Sequence, residues 1–148
     1  MNETWAFGLS VRLRASADGG RRSAIEMTGE SRLGYRPNWG LPSMTPPEQT
    51  GAPVYAFDRV KVEPGTAEVK AVILVPYPQM MPIWAAEVGP GADLPMYEGS
   101  RAVGVGKVLW RRSAHYPPTD AEASHYDSWL AGGRGRTDDA AHGIVAQR

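Results

Sequence analysis

Arg21, Arg22, Arg32 and Arg36 are the densest group of cations in the sequence, and they fall on a stretch rich in turn formers rather than on a strand face. Guanidinium groups carried by turns and loops are well shaped for two-point contact with phosphate oxygens. The same arginines could instead form ordinary ion pairs with Asp18, Glu26 and Glu30, and at the level of sequence both readings stand. A second stretch, Val103-Gly104-Val105-Gly106-Lys107, resembles a phosphate loop only superficially. Arg101 stands where that motif needs its first glycine, and Val108 stands where it needs the Mg²⁺-binding hydroxyl. The third glycine of a dinucleotide fingerprint is also missing, because position 109 is Leu.

Other catalytic chemistry is poorly served. The chain has no Cys, which removes disulfides, thiolate metal sites and thiolate catalysis, and His115, His125 and His142 follow no metal-ligand spacing. No Gly-x-Ser-x-Gly elbow is present, and the paired carboxylates Asp138-Asp139 lie in a segment with nothing to hold them at a fixed separation. The sequence therefore reads as a non-catalytic chain that uses no metal, nucleotide or other cofactor, with an enzyme of unknown type as a third alternative beside RNA binding and protein binding.

The elements that must position the loops bearing the arginines are β-strands. From Trp5 the apolar residues Trp5, Phe7, Leu9, Val11 and Leu13 alternate with polar ones, which predicts a half-buried strand. Asp18-Gly19-Gly20 ends it in a tight turn, and Ser23 to Met27 reads as a return strand. Five prolines between Gly34 and Pro53 predict a long surface loop, since proline withholds the donor that a central strand needs. Strand character resumes over Val54 to Val62, and Glu63-Pro64-Gly65-Thr66 makes a turn. Further strands are expected over Val69 to Val75, Ile83 to Val88 and Arg101 to Trp110, where Gly104 and Gly106 suggest close backbone approach. Thr119-Asp120-Ala121-Glu122 has the spacing of a capping box and predicts a helix over 120–130, whose Tyr126, Trp129 and Leu130 share one face. Arg134 to Arg148 has little to bury and reads as disordered.

Composition agrees with an all-β chain. At 148 residues it can bury roughly two-thirds of its unfolded surface, and thirteen Pro with seventeen Gly favour frequent turns. Sixteen basic and sixteen acidic side chains cancel, so any nucleic-acid contact must come from a local patch. The start lacks the pattern of a signal peptide, and the longest apolar stretch falls far short of the roughly 20 residues that span a bilayer. The expectation is a cytoplasmic protein without membrane contact.

Four motifs in order, Asp18-Gly19-Gly20-Arg21, Gly34-Tyr35-Arg36-Pro37, Glu63-Pro64-Gly65 and Glu98-Gly99-Ser100-Arg101-Ala102-Val103-Gly104-Val105-Gly106, resemble the C-terminal domain of elongation factor Tu. The resemblance covers residues 5 to about 110. It implies a six-stranded, antiparallel, closed β-barrel, assigned to 1–112; residues 113–148 read from their own pattern as a tail with a short helix. In that family the barrel binds the T-stem backbone of aminoacyl-tRNA and packs against protein partners. No GTPase domain accompanies it here, so GTP binding is not expected. Asp93 and Tyr97 replace two arginines of the family pattern, which removes two cations. The resemblance and the arginine cluster together give a candidate set for RNA or partner binding: Arg21, Arg22, Tyr35, Arg36, Glu98, Arg101 and Lys107. The protein-partner reading rests on neutral net charge, on Tyr35, Trp39 and Tyr97 as loop aromatics, and on the tail helix.

Overall fold

In the computed structural model, which describes residues 2–132, the alternation that starts at Trp5 becomes the long strand β1 (Asn2–Leu13). The chain continues through β2 (Ile25–Glu26), β3 (Asn38–Trp39), β4 (Thr50–Gly51), β5 (Val54–Phe57), β6 (Lys61–Val62) and β7 (Val69–Leu74). Helix α1 (Met81–Glu87), the strands β8 (Asp93–Glu98) and β9 (Arg101–Tyr116), and helix α2 (Asp120–Ala131) complete it. The protein is mostly β-sheet with a short C-terminal helix.

One sheet has the order β4-β3-β8-β9-β1-β7-β5, while β2 and β6 form a separate two-stranded ladder; every pairing is antiparallel. β1 is the spine, paired with β7 on one side and β9 on the other. A register shift after Gly8 accommodates the Trp110 indole, which lies where a Cβ on residue 8 would come within 2.2 Å of the ring. The close approach anticipated at Gly104 is also present, since a Cβ there would meet the Arg12 carbonyl oxygen at 2.6 Å. Regular ladders do not run the whole way round. β4 and β5 stand at the two ends of the order although only Ala52 and Pro53 separate them in the chain, and a single bridge joins Tyr35 to Val54. The closed six-stranded barrel is therefore not given by its ladders alone.

Apolar residues form two clusters. The larger contains Phe7, Leu9, Val11, Val69, Ala71, Ile73, Leu94, Met96 and Trp84. The smaller contains Ala6, Tyr55, Val72, Leu74, Ala114, Tyr126 and Leu130. Successive strand residues point to opposite faces, so Phe7 and Ala6, or Ile73 and Leu74, serve different clusters. That is why Ala6 to Leu9 of β1 are buried on both faces while Asn2, Glu3 and Arg12 are exposed.

Several expectations need correction. Ile83 to Val88 is not a strand: it lies mostly in α1, where Pro82 occupies the first turn, a position that loses no hydrogen bond to proline. Trp84 and Val88, four residues apart, are both buried, and the Trp84 ring packs on Phe7 at 5.2 Å between centroids. Arg111 donates to the carbonyls of Ala85 and Val88 and ties the end of α1 to β9. The proline-rich segment is not merely a surface loop, because it supplies β3 and β4, and Trp39 is fully buried with its indole N–H donating to Ala52 at 3.0 Å. Pro37 and Pro53 flank these two-residue strands rather than interrupt them. The return strand shrinks to Ile25–Glu26. Asp93–Glu98, not anticipated as a strand from its pattern, is β8. β9 runs past Trp110 to Tyr116, pairing back to Asn2.

The turn at Glu63 forms as expected, with Thr66 N–H donating to Glu63 and Gly65 at φ 86°. So does the capping box of α2, where Thr119 and Glu122 bond each other's backbone N–H at 3.1 and 3.0 Å. Burial pulls the Glu122 carboxyl up, but hydrogen bonds from Thr119 and His115 outweigh it and leave it below its ordinary value. The segment read as disordered, residues 134–148, lies outside the described residues. None of the described helices is long and apolar enough to cross a membrane.

Candidate functional site

Glu98 ends β8 and faces Arg101 across a two-residue turn in which Gly99 adopts φ 61°. This places the Glu98 carboxylate at one rim of the sheet, where two loops reach it. From one, Arg21 forms a short ion pair with Glu98. From the other, the Tyr35 hydroxyl donates to the same carboxylate oxygen at 2.5 Å. Tyr35 is fixed in turn by backbone pairing with Val54, whose N–H donates to its carbonyl at 2.9 Å, and by Phe57, 6.2 Å away between ring centroids. The Arg21 guanidinium lies 5.7 Å from the Tyr35 ring centroid, within cation–π range.

Arg21 is largely committed to internal bonds. Its Nε donates to Ser23 at 3.1 Å and its Nη2 to Ala24 at 3.4 Å, besides the Glu98 contact from Nη1. Its side chain is only 19% exposed. Burial, reinforced by the hydrogen bond to Glu98 and by its charge, pushes the Tyr35 phenol far above the ordinary range, and Arg21 only partly offsets this. Tyr35 is therefore a fixed donor rather than an acid or base.

Four of the seven candidate residues come together: Arg21, Tyr35 and Glu98 bond one another, and Arg101 reaches back to the Gly20 carbonyl at 3.4 Å. Arg22 and Arg36 adjoin Arg21 and Tyr35 in the chain. Arg22, Arg36 and Arg101 are exposed, and among the described residues none of the three has an acidic partner. Lys107 does not join them. It pairs with Asp93 at 3.0 Å, at the far end of β8 and about 17 Å from Glu98 for strands rising roughly 3.3 Å per residue. Beside Arg21 and Tyr35 lies an open cavity of about 270 Å³, walled also by Ile25, Met27, Glu26 and Ser31.

The ion pairs considered with Asp18, Glu26 and Glu30 do not form among the described residues. Arg32 goes elsewhere, to Asp127 of α2 at 3.1 Å, with its guanidinium 4.7 Å from the Tyr55 ring centroid. The aromatics expected at a partner surface are also otherwise engaged. Trp39 and Tyr97 are buried, and so are Tyr126 and Leu130 of α2, while Trp129 packs edge-on against Trp110 at 5.2 Å. Sequence reasoning missed the carbonyls of Gly20, Ser23 and Ala24, which carry no side-chain signal. Among the described residues no group of three His, Asp or Glu is placed to hold a metal ion. A scan against protein-family models finds no match, and a search of curated proteins finds none.

Proposed function

We propose that this chain is a non-catalytic binding module whose arginine rim contacts the phosphate backbone of RNA. One observation carries the reading: Glu98 gathers Arg21 and Tyr35, and their chain neighbours Arg22 and Arg36, like Arg101 across the Glu98 turn, are exposed and among the described residues without acidic partners. Local clustering of this kind supports phosphate contact even in a chain of zero net charge. The burial of Trp39, Tyr97, Tyr126 and Leu130 removes most of the surface on which a protein partner would have docked.

The scaffold we propose is a closed barrel of the type found in the C-terminal domain of elongation factor Tu. Its six strands would be β1, β3, the 50–57 stretch that contains both β4 and β5, β7, β8 and β9. Support comes from the Tyr35–Val54 bridge, which brings the two ends of the ladder together, and from the rim position of the Glu98 to Arg101 motif. The absence of Cys fits a cytoplasmic setting. A protein partner is the second reading, favoured by a cleft of about 190 Å³ lined by Leu41, Pro42, Met44, Pro46, Pro95 and Tyr97.

Recovery of the tagged protein from native cytosol, with and without ribonuclease, separates the two. RNA that co-purifies and is lost on ribonuclease treatment is the expected result. A set of protein partners unaffected by ribonuclease, with no RNA recovered, would replace the first reading by the second.

A further inference from the structure

We infer that Glu98, an anion in the middle of a cationic rim, strengthens phosphate binding by positioning its neighbours, although its charge taken alone opposes a polyanion. The inference rests on the RNA reading above. Its basis is that a single carboxylate oxygen accepts from both Arg21 and Tyr35, which belong to loops far apart in sequence. Arg21 adjoins Arg22, and Tyr35 adjoins Arg36. Arg21 and Tyr35 also touch each other directly, by a side-chain hydrogen bond and with the guanidinium 5.7 Å from the ring centroid, so Glu98 completes a three-membered group that links the turn at 20–24 to the segment at 34–36. Arg21 in turn fixes its own loop through the carbonyls of Ser23 and Ala24. The backbone that carries two exposed cations is thus tied down by one half-buried anchor, which lowers the ordering cost that binding would otherwise incur.

The two roles of Glu98 predict opposite signs for the same substitution. If Glu98 acted only through its charge, Glu98→Ala would remove a repulsion and tighten RNA binding. Acting as an anchor, its removal loosens the turn at 20–24 from Tyr35, which stays paired with Val54, and binding weakens although the protein has become more cationic. Glu98→Gln retains an oxygen able to accept from Arg21 and Tyr35, so it keeps the anchor while removing the charge.

The test titrates a short fluorescent A-form RNA duplex with wild type, Glu98→Ala and Glu98→Gln over a range of salt, and measures amide exchange over residues 21–24 and 34–36 in each free protein. Glu98→Ala should bind at least about threefold more weakly at low salt, with its log-log salt slope flattened by about one unit, since each phosphate contact contributes roughly 0.7 to 0.9. Residues 21–24 should exchange faster in that variant, while 34–36, paired with Val54, should change less. Glu98→Gln should bind at least as tightly as wild type with near-native exchange. Tighter binding by Glu98→Ala, or unchanged exchange over residues 21–24, overturns the inference while leaving the RNA reading in place. If wild type shows no salt-dependent binding, the RNA reading fails, and with it any part for Glu98 in phosphate binding; the exchange arm then decides only whether Glu98 anchors the loops.

Discussion

Arg21, Tyr35 and Glu98 at the rim, and Arg32, Tyr55 and Asp127 beneath α2, join the same three kinds of side chain in nearly the same way. In each group the phenol donates to the carboxylate, at 2.5 Å in the first and 3.0 Å in the second. In each the arginine lies over the tyrosine ring and pairs with the same acid. They differ in burial. The side chains of Arg21 and Glu98 are 19% and 33% exposed, against 36% and 44% for Arg32 and Asp127. Exposed pairs contribute little because water screens them, so the second group is a fastening placed over contacts that already hold α2 in place. At the rim no apolar cluster performs that service for the turn at 20–24, and the polar group itself holds the two loops together.

The largest effect should therefore lie in the apolar contacts of α2 rather than in its ion pair. Tyr126→Ala removes a fully buried ring and should cost about 3–5 kcal/mol, read as a lower urea midpoint or as loss of α2 docking. Tyr126→Phe should be neutral or stabilising, because among the described residues the Tyr126 hydroxyl is buried without a partner. A destabilising Tyr126→Phe would show that this hydroxyl has a partner after all.

Next in size is the loss of the rim hydroxyl. Tyr35→Phe leaves Glu98 with Arg21 alone and should cost about 1.5–3 kcal/mol, the range for hydrogen bonds to charged groups. Tyr55→Phe should cost less, about 1 kcal/mol, and equal costs at the two sites would erase the distinction drawn from burial.

Alkaline titration sharpens the same contrast. Burial first, and then the hydrogen bond to Asp127, raise Tyr55 to about 12, with Arg32 opposing, whereas Tyr35 is driven further still. A phenol whose folded value lies above its unfolded value of 10 stabilises the fold fully below pH 10, and that contribution is lost as pH rises toward the folded value. Stability should fall above pH 10, and difference absorbance against Tyr→Phe variants should show Tyr55 ionising before Tyr35. The reverse order would contradict the burial argument.

Smallest of all is Asp127→Asn, which breaks the exposed pair with Arg32. It should change stability by less than about 1 kcal/mol, with α2 still docked by amide exchange.

Strands whose burial follows a single period were legible in the sequence. Trp5 to Leu13 alternates because one face meets the main cluster along its whole length, and α2 announces itself through Thr119 and Glu122. The segment at Ile83 was misread because Pro82 and Gly89-Pro90-Gly91 bracket it as they would a strand, whereas its buried pair, Trp84 and Val88, follows the helical period. β3 and β4 are two residues each, too short for any period, so Trp39 looked like a loop aromatic. The rim was found through ordered motifs around Arg21, Tyr35 and Glu98. Lys107 was wrongly grouped with them because position along a motif does not tell which end of a hairpin a side chain occupies. The partner of Arg32 lies in the tail helix, and no local pattern could have supplied it.

The central claim is that Arg22 and Arg36, held by the rim group, contact phosphate directly. Salt-dependent titration of a short RNA duplex tests it on wild type, the Arg22→Ala/Arg36→Ala double variant, and Lys107→Ala as a control whose cation is already paired with Asp93. With three rim arginines engaged, wild type should give a log-log slope of about −2 to −3, and the double variant should flatten it by about 1.4 to 1.8 units. Lys107→Ala should leave both affinity and slope unchanged. An unaltered slope in the double variant, or a loss in Lys107→Ala as large as in the double variant, would contradict the account.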